Sequence, residues 1–446
     1  MPHGLSLVSR FFTISECRAE FIRAMPSVVK NTPEGSNCAA KARPLCQKEN
    51  YVLMSLCQKN RNMKNKILMA MSGGIDSSVA AIELRRQGYE LKGVTFTQLT
   101  LDSPAVSEAR QMASDMGFEH HTLDMRREFH DSVICNFIDE YLHGRTPNPC
   151  VQCNSNIKWG MLQKFADEMG CFYIATGHYA QIERTPEGRY FIRKGADEHK
   201  DQSYFLWRLT QENLSRTLFP LGRYTKTEVR QIALDNGYEQ LSKKGESQEI
   251  CFIPDNDYRN FLRTNVPNYE KKYKPGNFVD INGKVLGKHQ GFPNYTIGQR
   301  KGLGIALGEP MYVVRIDAEK NQVVLGRKED LLTKTCYARD LNMMKFHDFI
   351  DGQTVMAKVR YKSRPGFAHI YHVDESEISN TQYCPPVLGG RAQRAEGVDN
   401  SQLSTLNIQL VRIVFEDPIE SITPGQSVVF YCGDNYTDVL GGAILI

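Results

Sequence analysis

The sequence predicts a doubly wound α/β domain on a parallel sheet, followed by a small β-rich central domain and a C-terminal β-barrel. Three observations predict it. The apolar run KILMAM (66–71) passes through a glycine–serine turn straight into the helical pattern VAAIELRRQG (79–88). Short apolar runs then alternate with amphipathic stretches as far as about residue 210. After about residue 270 the texture changes to short, glycine-punctuated segments in which Val, Ile and Tyr alternate with polar residues. Strand–helix alternation marks a parallel sheet with helical crossovers, and period-two alternation marks strands with one wet face.

Residues 1–62 are unlike the rest. They hold nine Lys/Arg against four Asp/Glu, whereas the remainder holds 46 against 47. They also hold Cys17, Cys38, Cys46 and Cys57, four of the twelve cysteines. No apolar period is sustained, and the long apolar core of a secretory signal is missing. A basic stretch with Ser and Arg suits a mitochondrial transit peptide, but Glu16 and Glu20 argue against one. The expectation is a disordered or non-native extension, with Met63 reading as a start.

The first domain is expected over 63–270. KILMAM suits a buried parallel strand, and Gly88 ends the helix that follows. LKGVTF (91–96) and HHTLDM (120–125) are strands flanking the helix SEARQMASDMG (107–117), and CFYIATGHY (171–179) is a further buried strand running into a loop. Residues 211–265 read as mainly helical; in TKTEVRQIALDNG (225–237), Thr227 can cap the helix and Gly237 end it. The central domain is expected over 271–335, where MYVVRIDAEKNQVVLG (311–326) reads as a hairpin. TVMAKVRYKS, LNIQLVRIVF and SVVFYCG continue the β texture through a barrel over 336–446, with a polar loop inserted at 374–403.

A length of 446 residues suits two or three domains. A net charge of +4 excludes a uniformly basic nucleic-acid binder, so any RNA contact must come from local patches. No apolar run reaches the roughly 18 residues of a membrane span. A chain of this size needs no disulfide framework, so the cysteines fit a reducing compartment with a few chemically used thiols. A cytoplasmic location is expected, with a mitochondrial one as the alternative.

SGGIDSS (72–78) is the strongest local signal. It lies between a buried strand and a helix, where Gly73 and Gly74 allow close backbone approach to a phosphate. Ser72, Ser77 and Ser78 offer hydroxyls, the helix offers free N–H groups and the positive end of its dipole, and Asp76 can hold the loop or a magnesium ion. No GKS or GKT follows, so it is not a Walker A loop. The second signal is GRTPNPCVQCNSNIKWG (144–160), where Cys150 and Cys153 form a C-x-x-C in a polar, proline-rich loop. There a thiol fits redox, catalytic or metal-binding work better than packing. The third is GESQEICFIP (245–254), in which Cys251 taken alone reads as a core thiol. Neither cysteine motif has a partner at zinc spacing.

SGGIDSS resembles the PP-loop of the ATP pyrophosphatase superfamily, whose adenine-nucleotide α-hydrolase-like fold cleaves ATP to AMP and pyrophosphate. SGGIDSSVAA, GRTPNPCVQCN, IATGHYA, KDQSYFLWRL, ESQEICFIP, TIGQRKGLGI and ITPGQSVVFY occur in this order. As a set they resemble the tRNA-specific 2-thiouridylase family, with its mitochondrial relatives, over roughly residues 66–446. The resemblance implies an ATP-dependent sulfurtransferase that makes 2-thiouridine at the wobble position of tRNA. It implies that Cys153 is the nucleophile and that Cys251 carries the persulfide. It implies ATP, with Mg2+, at Ala70, Met71, Ser72, Gly73, Gly74, Ile75, Asp76, Ser77, Phe96 and Gly177. It implies tRNA contacts at Asn148, Pro149, Cys150, His178, Lys200, Asp201, Gln202, Arg360, Tyr361 and Gln426. The partners implied are tRNA and a sulfur-donor or sulfur-relay protein. Many members have Asp where this chain has Cys150, so its role does not carry over. It creates a three-thiol set (Cys150, Cys153, Cys251) able to hold a 4Fe–4S cluster with one iron open; persulfide chemistry is the reading ranked first. The competing readings are an amidating PP-loop synthetase and a tRNA-binding paralogue without turnover.

Overall fold

A computed structural model of the protein describes residues 65–101, 103–243, 250–374, 377 and 409–446. The extension at 1–62 and most of the inserted loop expected at 374–403 lie outside the described residues.

Strand β1 (Lys66–Ala70) is the expected KILMA run, with Ile67, Leu68 and Met69 fully buried. Helix α1 (Ile75–Arg86) crosses over to β2 (Glu90–Thr97), and α2 (Pro104–Asp115) to β3 (His120–Asp124). Ser103 caps α2 by accepting from the Ala105 N–H, and Pro104 fills its first position, where a missing N–H costs nothing. With β4 (Tyr173–Ala175) and β7 (Thr217–Leu218), these form a five-stranded, all-parallel sheet in the order β3-β2-β1-β4-β7. β1 is central, so the loop after it opens at the carboxyl edge of the sheet, where doubly wound folds bind ligands.

Two expectations are corrected. Not all of 66–210 belongs to the parallel sheet. After β4, the hairpin β5 (Ala180–Arg184) and β6 (Tyr190–Lys194) turns at Thr185–Gly188 and joins the C-terminal sheet. β7 (Thr217–Leu218) then returns to the parallel sheet. The helix expected at 225–237 spans Lys226–Asp235 (α3), and its cap is Thr225, not Thr227. Thr225 Oγ1 accepts from the Glu228 N–H while the Glu228 carboxylate accepts from the Thr225 N–H. That reciprocal box needs its acid three residues after the cap, which Thr227 lacks.

The central domain is a four-stranded sheet in which the second hairpin lies beside the first. It comprises β8 (Gly276–Val279), β9 (Val285–His289) and the expected hairpin β10 (Tyr312–Asp317)–β11 (Gln322–Gly326). The barrel has six strands: β12 (Leu332–Met343), β13 (Gln353–Lys358), β14 (Gly366–Val373), β15 (Leu410–Glu420), β16 (Ser427–Cys432) and β17 (Asp438–Leu445). β12 closes it by pairing with both β15 and β17. Val355, Ala368, Ile370, Val411, Ile413, Phe430 and Leu440 fill it, each fully buried.

Candidate active site

The loop after β1 is pinned from both sides. The Met71 N–H bonds to the Val94 carbonyl, and Thr95 Oγ1 donates to the Met71 carbonyl. Gly73 has φ of +67°, and a Cβ there would lie 2.8 Å from the Ala105 carbonyl oxygen, so glycine is required. Gly74 stands at the N-cap of α1 and caps it with no side chain. The first-turn N–H groups therefore face outward, as an anion site requires. Ser77 Oγ accepts from the Ser72 N–H at 3.1 Å and donates to the Gly74 carbonyl. Ser72 is exposed, Ile75 is core, and Ala70 is half-buried at the strand end.

Asp76, in the first turn of α1, is gripped by two groups the sequence did not reveal. Tyr179 donates its hydroxyl to Asp76 Oδ1 at 2.7 Å, and the Lys226 ammonium lies 2.6 Å from the same oxygen. Lys226 is buried, and its N–H bonds to Asp197 Oδ2. Gly177 lets this strand end come so close: a Cβ there would lie 2.8 Å from the Asp76 carbonyl carbon and the Ser77 nitrogen.

The thiols lie on a neighbouring element. Pro149 opens a short helix, Pro149–Gln152, after Asn148; a π-helical stretch, Cys153–Trp159, follows. The stretch is anchored below by Trp159, fully buried, whose ring N–H donates to Thr217 Oγ1 at 2.7 Å. Asn154 Nδ2 donates to the Phe205 carbonyl. Cys153 is buried, while Cys150 and Cys251 are exposed. Cys153 shares a core cluster with Phe252 and Ile253, which follow Cys251. The three thiols are close enough to feel one another's charge: Cys153 feels Cys251 and Cys150, and Cys251 feels Cys150. Burial pushes the Cys153 thiol up to about 11, with the Lys158 charge working in the opposite direction. Desolvation by the surrounding protein also raises the thiols of Cys150 and Cys251, although both residues reach the surface, and Lys158 again opposes it in both. Lys158 is thus the cation common to all three sulfurs. On an α-helix it would stand about 140° from Cys153; the wider π turn brings i and i+5 together.

His178 and Tyr179 join the two halves. Tyr179 reaches Asp76 in the phosphate loop, and His178 Nε2 lies 3.5 Å from Lys158 Nζ. An ammonium can only donate, so Nε2 accepts, and the ring proton on Nδ1 goes to Thr176 Oγ1 at 2.7 Å. Burial, then Lys158, holds the His178 pKa well below its ordinary value, so the ring is neutral.

Of the other expected residues, Gln426 reaches the same loop and Gln202 holds Tyr179, while Asp201, Arg360 and Tyr361 make contacts elsewhere. Gln426 Nε2 donates to the Thr146 and Pro147 carbonyls, fixing the approach to Cys150 from the barrel. Gln202 accepts from the Tyr179 N–H. Asp201 is buried, accepting from the Gly195 and Ser203 N–H groups and the Ser203 hydroxyl. Arg360 donates to the Ile297 carbonyl at 3.3 Å, and also to the Ser421 carbonyl and the Thr423 hydroxyl. Tyr361 rests on Phe205 with ring centroids 4.4 Å apart, and Lys200 is half-buried. Phe96 packs between the core under β4 and the cluster holding Cys153. A cavity of about 200 Å³ opens beside Asn148 and Pro147, flanked by Gln152, Arg208 and Arg339.

Residues 65–255 match the family model described as a tRNA methyl transferase HUP domain. Residues 260–327 match its PRC-barrel domain, and 391–445 an aminomethyltransferase β-barrel domain. The chain is 45% identical to the tRNA-specific 2-thiouridylase MnmA of Amoebophilus asiaticus, over 85% of this chain and 94% of that protein. It is 44% identical to that of Cytophaga hutchinsonii, over 85% and 96%. A solved 4-thiouridine synthetase–RNA complex with bound ATP is similar at a TM-score of 0.32 and 20% identity, over 46% of this chain and 50% of that one. With such identity along nearly the whole of both relatives, the chain belongs to the tRNA-specific 2-thiouridylase family.

Proposed function

We propose that the protein is an ATP-dependent sulfurtransferase that replaces the C2 oxygen of a wobble uridine in tRNA with sulfur. One observation carries this reading: two consecutive residues, His178 and Tyr179, tie the thiols' shared cation to the phosphate loop. A nucleobase activated at the loop would then sit beside the sulfurs.

ATP phosphates fit the outward N–H groups and hydroxyls of Ser72–Ser77, with Asp76 as the carboxylate near magnesium. The target base fits the cavity beside Pro147 and Asn148, just ahead of Pro149 and Cys150 in the chain, extruded from its stack as base chemistry requires. Lys200 and Tyr361 are the groups suited to meet RNA, a charge and a stackable ring. Asp201, Gln202, Arg360 and Gln426 shape that surface through their internal hydrogen bonds. His178 keeps Lys158 over the sulfurs.

The exposed Cys251 receives sulfur from a donor or relay protein and holds it as a persulfide. The uridine oxygen takes the adenylyl group of ATP, releasing pyrophosphate. The Cys153 thiolate bonds to the inner sulfur of Cys251, and the freed terminal sulfur becomes the new C2 substituent. AMP leaves with the uridine oxygen. The resulting Cys153–Cys251 disulfide needs two electrons from a thiol reductant before another turn. Burial of Cys153 protects it from external oxidants, while exposure of Cys251 admits the donor.

An iron–sulfur cluster at Cys150, Cys153 and Cys251 is the second reading, favoured by the one cation, Lys158, that acts on all three thiols. Iron with visible absorbance after anaerobic purification, lost in Cys150→Ala, would put it first.

The test is mass analysis of tRNA nucleosides after incubation with ATP, magnesium and a persulfide source. Thiouridine should form, and Cys153→Ser or Cys251→Ser should abolish it while tRNA binding persists. Unimpaired thiolation in either variant overturns the assignment. AMP release that depends on tRNA separates it from an amidating synthetase.

A further inference from the structure

Away from the thiol centre, the helical run from Arg126 to Leu142 contains a π-helical turn at His130–Ile134, closed by the Cys135 N–H bonding to the His130 carbonyl. As at Cys153–Trp159, the wide turn sets residues five apart on one face. His130 Nδ1 lies 3.7 Å from Cys135 Sγ and 3.1 Å from Asp131 Oδ1. All three ligand atoms lie within 4.8 Å of one another, the one such His/Cys/Asp/Glu group among the described residues.

We propose that His130, Asp131 and Cys135 form a surface site for a borderline-soft divalent cation, Zn2+ above all, with one coordination position open to solvent. Zinc bonds of about 2.3 Å to sulfur and about 2.0–2.2 Å to nitrogen and oxygen give tetrahedral edges of roughly 3.6 Å (S to N) and roughly 3.4 Å (N to O). The separations found are 3.7 and 3.1 Å, so a rotamer adjustment of a few tenths of an ångström admits the ion. A nitrogen–oxygen–sulfur set excludes magnesium and calcium, which take oxygen ligands. Cys135 would lose its proton on binding, and that proton goes to solvent. Arg127 Nε approaches Asp131 through the other carboxylate oxygen, at 3.8 Å, and leaves the bridging Oδ1 to the cation. The site lies on the outer face of the run. The inner face packs Phe129 and Phe137 against Phe252, with ring centroids 5.7 and 5.2 Å apart, next to Cys251. A cation that clamps the outer face therefore stiffens the wall behind the persulfide carrier.

The experiment is hydrogen exchange of the full chain titrated with Zn2+, read in peptides covering 126–142, where Cys135 is the sole cysteine. This local readout ignores zinc captured by other thiols. Zinc should slow exchange there in the parent protein and equally in the Cys153→Ser/Cys251→Ser background. His130→Ala, Asp131→Asn and Cys135→Ser should each raise the zinc concentration for half protection by about tenfold or more. Their melting temperatures without metal should match the parent's, since all three side chains are at the surface. Absence of zinc protection over 126–142, or protection that survives these substitutions, overturns the proposal.

Discussion

Cys153, the nucleophile of the proposed reaction, is a thiol made weak by its surroundings. Burial raises its thiol to about 11, and the groups that perturb it include one cation, Lys158, pulling the other way. At neutral pH the thiolate is therefore a minor species whose amount follows pH. Alkylation of Cys153 by iodoacetamide, read by peptide mass spectrometry, should quicken about tenfold per pH unit and level off only near about 11. Lys158→Met removes the opposing charge, so the curve should move to higher pH. Thiolation should fall about tenfold for each unit of displacement, while tRNA binding stays as it was. A curve that does not move would show that Lys158 is not the sulfurs' counter-charge. The sequence concealed this residue for a geometric reason: five positions from Cys153, it belongs to the other side of an ordinary helix.

At the scale of elements, the legible parts were those with a local cause. KILMAM became a central strand because an apolar run buried on both faces suits a parallel sheet. SGGIDSS became a short loop, Ser72–Gly74, and the first turn of the helix behind it, which starts at Ile75, and MYVVRIDAEKNQVVLG became a hairpin. What stayed hidden depends on distant partners. The β5–β6 hairpin looks like part of the α/β domain until β17 supplies an edge for it. Nothing near Lys226 in the sequence points to Asp76, 150 residues away, which receives its ammonium. The segment after β4 carries a testable division of labour. Tyr179→Phe deletes a hydrogen bond to a carboxylate, worth roughly 1.5 kcal/mol or more. The KM for ATP should rise about tenfold, with Cys153 alkylation unaltered. His178→Ala should do the reverse, slowing alkylation and leaving the KM for ATP alone. If both variants changed both quantities alike, the two residues would not separate the phosphate and thiol halves.

The whole molecule works only if the barrel sits correctly on the catalytic domain, because Gln426 in the barrel holds the carbonyls of Thr146 and Pro147 just ahead of Cys150. Three contacts set that docking. Asp438, buried at the start of β17, takes Arg193 from β6 at 2.7 Å and Lys345 at 2.6 Å. Asn342 Nδ2 donates to the Trp207 and Leu209 carbonyls. Trp207, fully buried, lays its ring on Gly442 of β17. A Cβ at Gly442 would lie 2.6, 2.7 and 2.9 Å from three atoms of that ring, whose backbone is held by Asn342 and cannot retreat. Gly442→Ala should therefore cost about 1–3 kcal/mol, the usual penalty for overpacking, and lower the unfolding midpoint. Thiolation should fall further than stability alone requires, because a displaced β17 carries Gln426 away from the Cys150 loop. Trp207→Phe offers a smaller ring, so the double variant should lose less stability than the two single losses added together. Strict additivity would mean that the indole does not set the seat of the barrel, and that the Cys150 loop takes its position from contacts within the catalytic domain.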